Sequence, residues 1–229
     1  VLMDDNFASI VKGIRMGRRI FSNLQKSMRY IFAIHIPIAG MALMPQLIGW
    51  PALLLPVHLA LLELVIDPAC AIAFENEPED AQVMQAPPRD ITSPLFGRTD
   101  MAWAFGQGLC ILLTLLVGYR WASSQLDEAT MRAVLFATLV VANTGLIWSS
   151  RAPSRHRRQR DQSNPALPWI MGLDLGILIL VLNVPWALDA LHFAPLDATA
   201  WTMVATLGTL SWLSTTALQR MAFKRSARP

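Results

Sequence analysis

Leu61-Leu-Glu-Leu-Val-Ile-Asp-Pro-Ala-Cys70 is the stretch on which the reading of this chain turns. It lies in an apolar run from about Ala52 to Phe74, long enough to cross a bilayer as a helix. Glu63 and Asp67 stand four residues apart in that run, so a helix stacks them on one face. Pro68 follows Asp67, has no N–H and crowds the carbonyl four residues back. The helix is therefore expected to bend or open near Leu64 and to free its carbonyl beside two acids. Converging oxygens in a low-dielectric setting suit a hard cation that has shed its water. A charge at mid-membrane costs several kcal/mol, and such residues mark ion or proton paths by default. A plainer alternative stays open, in which both acids are protonated or paired with a neighbouring helix.

Composition points the same way. The chain is 54% hydrophobic and only 15% charged, which does not suit a water-soluble domain of 229 residues. Val1-Leu-Met-Asp-Asp-Asn-Phe7 lacks an initiator Met, a basic n-region and a small-residue cleavage site, so the expectation is a C-terminal part of a longer protein. Cys70 and Cys110 fall in apolar runs and form neither a disulfide framework nor a metal knuckle.

Outward from the central stretch, residues 1–29 are polar and basic. Asp4, Asp5 or Asn6 can cap a helix in which Ile10, Ile14, Phe21, Leu24 and Met28 form one stripe. This amphipathic helix runs directly into a first span at about residues 30–48, where Pro37 frees the carbonyl of Ala33 near His35. After a turn at Gly49-Trp-Pro51, the Glu63/Asp67 span occupies about 52–74. An acidic, proline-containing loop follows, then apolar runs at about 102–121, 131–148, 169–184 and 201–218. The expected fold is thus an all-α membrane protein of six transmembrane helices preceded by an amphipathic cytoplasmic stalk helix.

Lysine and arginine orient it. Six lie in residues 1–29, two in 75–100, five in Arg151–Arg160 and four after Leu218. Only Arg120 and Arg132 flank the other side, so both termini are expected in the cytoplasm. Trp50, Trp103, Trp121, Trp148, Trp169, Trp186 and Trp201 stand near span ends, as an interfacial belt requires. Beside such spans, the Arg155–Arg160 cluster reads as a topology determinant or a lipid-headgroup contact, not a nucleic-acid site.

Asp4-Asp-Asn-Phe-Ala-Ser-Ile10, Gly17-Arg18, Asn23, Lys26 and Arg29-Tyr30 resemble the segment that leaves the phosphorylation domain of P-type cation-transporting ATPases and becomes their fifth membrane helix. Asp67-Pro68, Glu77-Pro78 and Pro87-Pro-Arg89 are similar to the sixth helix and the cytosolic loop after it. The likeness is specific over residues 1–100 and one of pattern thereafter, and is nearest to the P2-like branch in a bacterial style. It implies that residues 1–29 end the phosphorylation domain and form the stalk, and that 30–229 form the membrane domain of an ATP-driven cation pump in the plasma membrane. It also implies coupling roles for Arg18, Asn23 and Tyr30, helix breaks at Pro37 and Pro68, and a cation site of Glu63 and Asp67, with His35 and the Leu64 and Ala33 carbonyls as further candidates. The cation is then substrate, of unknown identity. ATP and Mg would bind the actuator, nucleotide-binding and phosphorylation domains of the same parent, since no phosphorylated aspartate or nucleotide pocket lies in these residues.

Departures from the family pattern matter. In reticulum calcium pumps the fifth helix supplies an amide and a carboxylate, and those positions correspond to His35 and Ile38. The sixth offers an amide, a threonine and an aspartate, matched by Glu63, Ile66 and Asp67. Two oxygen ligands are lost and calcium selectivity does not carry over. Cys70 reads as packing, Asn143 and Asn183 as interhelical hydrogen bonds, and Asp174 as a group near enough to its span end to reach the interface. Thr202, Thr206, Gly208, Thr209 and Ser211 read as packing surface. The alternative function is a stand-alone permease, channel or regulatory subunit that hydrolyses nothing.

Overall fold

The computed structural model describes residues 7–79, 83–85, 87–88, 97–150 and 164–226, apart from the side chains of Asp67 and residues 223–226. The capping residues Asp4–Asn6, Arg89 and the Arg151–Arg160 cluster lie outside them. All regular structure among the described residues is helical: α1 (Phe7–Leu47), α2 (Pro56–Glu75), α3 (Arg98–Ala122), α4 (Glu128–Ser150), α5 (Ala166–Asn183), α6 (Pro185–Leu191) and α7 (Ala198–Ser226). Helix α1 is continuous over 41 residues, or about 60 Å at 1.5 Å per residue, twice the hydrocarbon thickness of a bilayer. Its basic half and its apolar half therefore share one hydrogen-bond ladder.

Among the described residues five helices, α1 to α5, are long and apolar enough to cross a membrane. The sixth expected span is the difference. Its residues form α7, of 29 residues, but hydroxyl groups dilute its apolar character. Those hydroxyls donate back to their own helix: Thr202 to Thr199, Thr206 to Thr202, Thr209 to Ala205 and Thr215 to Ser211, at 2.7–2.8 Å. Thr202, Thr206 and Thr209 are exposed, so of the expected packing surface it is Gly208 and Ser211 that face inward. Two further points concern the prolines and the stretch after α5. Pro37 and Pro68 do not end their helices, because each removes one donor while the surrounding ladder and the packed neighbours hold the segment. The stretch after α5, expected to be a loop, contains α6, which starts on Pro185 and stops where His192 turns left-handed (φ 51°).

Helix α1 packs against α2, α3 and α4, and α7 closes on α3 and α4. The α1–α3 seam is close because Gly108 presents no side chain: a Cβ there would run into the Ala33 carbonyl and the Ile36 side chain. That carbonyl is the one Pro37 deprives of its helical donor. At α7, a Cβ on Gly208 would likewise strike Val141 of α4. Helix α4 is the most enclosed of the five candidate spans.

Polar side chains tie the ends. At one end Arg132, 9% exposed, donates to the carbonyls of His192 and Ala52 and pairs with Glu128. Beside it His58 is fully buried, stacked on Phe193 at 4.7 Å between ring centroids. The Leu55 N–H donates to its Nδ1 at 3.0 Å, so Nε2 is the donor to the Leu191 carbonyl at 2.7 Å. Asp127 caps α4: its carboxylate accepts from the N–H groups of Ala129 and Thr130 and, at 2.6 Å, from the Thr130 hydroxyl. The Thr130 hydroxyl and N–H hold the Asp127 carboxyl below the ordinary aspartate range.

Two expectations follow from these contacts. Gly108→Leu should force α1 and α3 apart and lower stability by roughly 1–3 kcal/mol, read from thermal denaturation in detergent. Asp127→Ala should cost about 1 kcal/mol at neutral pH. Because the folded carboxyl titrates low, its contribution is complete above the ordinary aspartate pKa of about 4 and fades as pH falls through the folded value. The wild type–variant gap should therefore narrow on acidification.

Candidate functional site

The site begins with a histidine on α1 and a glutamate on α2. His35 Nδ1 lies 2.7 Å from the Ile31 carbonyl, one turn back on its own helix. A carbonyl only accepts, so Nδ1 carries the proton in that bond and a neutral ring turns its Nε2 lone pair outward. Nε2 faces Glu63 Oε1 at 3.5 Å. Two acceptors pointed at one another repel unless a proton or a metal cation stands between them. Both side chains are a little under half exposed, at 45% and 42%, so the pair opens onto a face that the described residues leave uncovered.

Asp67 is helical, one turn along α2 from Glu63, and its side chain is outside the described residues. Leu64 is 71% exposed on the same helix, and its carbonyl lacks a donor because residue 68 is proline. The Ala33 carbonyl, also a candidate ligand, lies instead against Gly108 of α3. Ile38 and Ile66, which the resemblance aligns with oxygen ligands, are buried apolar contacts. Cys70 is buried, with its sulfur 3.3 Å from the Ser27 hydroxyl, in keeping with packing. Among the described residues no three of His, Cys, Asp and Glu gather to hold a metal, so His35 and Glu63 make up at most part of a coordination sphere.

A second set of residues joins α1 to the segment after α2. Arg18 Nη1 donates to the Val83 carbonyl at 2.7 Å, Arg19 Nε to the Glu77 carbonyl at 3.0 Å, and Asn23 Nδ2 to the same carbonyl at 2.8 Å. Asn164, just before α5, donates to the Ala73 carbonyl at 2.7 Å and to the Glu77 carboxylate at 3.2 Å. Higher up, buried Tyr30 donates to Asn143 of α4 and tilts against Phe74. Arg18, Asn23 and Tyr30 are thus each anchored on another element. Sequence reading missed Arg19 and Asn164. The only signal for Asn164 was a polar residue before Pro165, and its partners lie some ninety positions away.

Two other polar residues differ from expectation. Asn183 bonds the Ile179 carbonyl of its own helix, not a neighbour, because it faces outward. Asp174 does not reach the interface: it is 2% exposed and lines a narrow apolar cleft with Leu61, Leu62, Phe136 and Val140, its Oδ2 without a partner among the described residues. Its position on α5 faces α2 and α4, and the helix surface that turns outward is occupied by residues such as Leu173 and Leu180.

A family model described as "Cation transporting ATPase, C-terminus" matches residues 51–221. Among curated proteins, the chain is 30% identical over 152 residues to a calcium-transporting ATPase of Listeria monocytogenes, covering 66% of this chain and 17% of that one. It is 27% identical over 213 residues to a calcium-transporting ATPase of Bacillus subtilis, covering 91% and 23%. An endoplasmic reticulum calcium ATPase of Aspergillus fumigatus is 34% identical over 121 residues, covering 53% and 12%. The chain therefore spans less than a quarter of the length of these relatives.

The α1 contacts carry an expectation of their own. Asn23→Leu leaves the Glu77 carbonyl one donor short and should cost about 1–2 kcal/mol. Gln46→Leu, exposed and bonded within its own helix, should change stability by less than about 0.5 kcal/mol. Thermal denaturation of the purified protein compares the two.

Proposed function

The chain belongs to the cation transporting ATPase C-terminus family, and from that premise we propose that it forms the ion-carrying membrane domain of an ATP-driven cation pump. It is a multi-pass membrane protein. The observation that carries the reading further is the approach of His35 Nε2 and Glu63 Oε1, 3.5 Å apart on two helices of membrane-spanning character. An arrangement that needs a cation or proton to be stable is what a transport site must offer. Glu63, Asp67 and the Leu64 carbonyl supply hard oxygens, with His35 at their edge. The Ala33 carbonyl is the weakest candidate, since Gly108 already covers it. The relatives are named calcium-transporting, and calcium is the first cation to test here.

Movement follows from α1. Its basic half is the stalk, and α7 completes six spans with both termini in the cytoplasm of a plasma-membrane protein. ATP and Mg are handled by actuator, nucleotide-binding and phosphorylation domains of the parent. A pull on the stalk is transmitted along one ladder to His35, while Arg19 and Asn23 carry it through the Glu77 carbonyl to the end of α2 and so to Glu63 and Asp67, and Arg18 holds Val83 beyond it. Tyr30 gives α1 a fixed point on α4. Displacing the two helices changes the separation of the two acceptors, which alters cation affinity between the two states of the cycle.

The test is cation-stimulated ATP hydrolysis and flux in the full-length parent. Asp67→Asn keeps volume and removes charge, and should abolish calcium-dependent turnover without unfolding the protein. Asp189→Asn, an exposed carboxylate on α6, should leave it unchanged. Calcium dependence of wild-type strength in Asp67→Asn would refute the site, and flux that persists without ATP would favour a stand-alone permease.

A further inference from the structure

Helix α2 ends with a gap in its ladder. The Glu77 N–H, next in line to donate to the Ala73 carbonyl, turns instead to Phe74 at 3.2 Å. Asn164, which stands before α5 and is 3% exposed, fills the place. Its Nδ2 donates to the Ala73 carbonyl at 2.7 Å and to Glu77 Oε2 at 3.2 Å. Its Oδ1 accepts the N–H of Ala166, the first residue of α5, at 3.1 Å. These partners fix the amide, since a flipped one would set oxygen against oxygen at two contacts and N–H against N–H at the third. One side chain thus closes the end of α2 and the start of α5, where helices lack partners of their own.

Glu77, 6% exposed, is held on two sides. Its carboxylate accepts from Asn164, while its carbonyl takes Arg19 and Asn23 of α1. Farther along, Leu62 and Val65 of α2 face Ile177, Leu178 and Val181 of α5 across an apolar cleft. Helices α2 and α5 are therefore joined at two levels, by the amide at their ends and by apolar packing deeper in the bundle.

We propose that Asn164 is a positioning residue for cation binding: it clamps α5 to α2, so that the two helices move as one body, and thereby sets where α2 presents Glu63 and Asp67. The inference rests on the reading of those two carboxylates as the cation site. Without the clamp the end of α2 loses its hold on α5. The binding arrangement is then populated for less of the time, and apparent affinity falls by that fraction.

The experiment uses the full-length parent. Calcium-stimulated ATP hydrolysis is measured over a calcium series, and hydrogen exchange is followed at residues 70–77 and 164–170. Asn164→Asp keeps the oxygen that caps α5 but loses both donors and faces Glu77 with a like charge. It should raise the calcium concentration for half-maximal activity about tenfold, the loss expected of one charge-assisted hydrogen bond. The maximal rate should stay within about twofold, because the change acts on binding and not on the chemical step. Adding Glu77→Gln to the same chain returns a donor to the pair and should recover most of the affinity. A side chain that only caps α5 predicts otherwise: Asn164→Asp would then respond to calcium as the wild type does. That result would overturn the proposal, as would a fall in maximal rate and melting temperature at unchanged half-saturation. Should Asn164→Asp fail to fold, Asn164→Ser decides by the same readout, since its hydroxyl caps α5 and is too short to reach both Ala73 and Glu77. A wild type that calcium does not stimulate would count against the cation-site reading, and hydrogen exchange then decides the clamp. Faster exchange at both segments in Asn164→Asp supports it, and faster exchange at 164–170 alone overturns it.

Discussion

Pro37 leaves the carbonyl of Ala33 without its helical donor, and α3 meets that carbonyl with the bare Cα of Gly108. Much of the bundle depends on this contact. In hydrocarbon an unpaired carbonyl costs several kcal/mol, and no water is at hand to relieve it. Close approach of a glycine offers weak C–H donors and excludes anything bulkier. It also brings α3 near enough for Leu112 to fold over Gly40, a full turn beyond Pro37 on α1. Once α1 and α3 are joined, α4 and α7 fill the groove beside them, with Gly208 against Val141 repeating the device.

The two ends of the bundle are held differently from its middle. Between the ends, most contacts are apolar and many hydroxyl groups bond to their own helices, with Tyr30–Asn143 and His35–Glu63 as interhelical polar contacts. At the ends, long-range polar bonds take over: Arg132 and His58 at one, Arg18, Arg19, Asn23 and Asn164 at the other. Several of these side chains address backbone carbonyls, most of them at helix ends or in loops, where such groups lack helical partners. The Glu77 carbonyl alone receives both Arg19 and Asn23.

How much of this could be read from sequence depends on the range of the signal. The apolar runs announced the helices, because burial in lipid needs only local composition. Tryptophans marked their ends for the same reason. The His35–Glu63 proximity was half legible: each residue was singled out, but the ring orientation rests on the Ile31 carbonyl. Asn164, Arg19 and His58 were not legible, since their partners lie tens of positions away and follow from packing. Asn183 was misjudged because a side-chain amide satisfies its own helix as readily as a neighbour's, and only the facing of α5 decides between them. The prolines carry a local signal of another kind. A missing N–H is a local fact, but whether the helix yields depends on how firmly α3 and α5 hold it.

The openness of the His35–Glu63 face bears on the proposed mechanism. A calcium ion takes six to eight oxygens. Glu63, Asp67 and the Leu64 carbonyl provide fewer, even if both carboxylates bind through both oxygens. Under the proposed site, further ligands would have to approach the face where Glu63 and Leu64 are exposed. A sphere divided in this way binds strongly only when its two halves are brought together. Affinity becomes a function of helix position, which is what a pump needs in order to take up an ion on one side and release it on the other. A site complete within one rigid element would hold its ion equally well in both states and transport nothing.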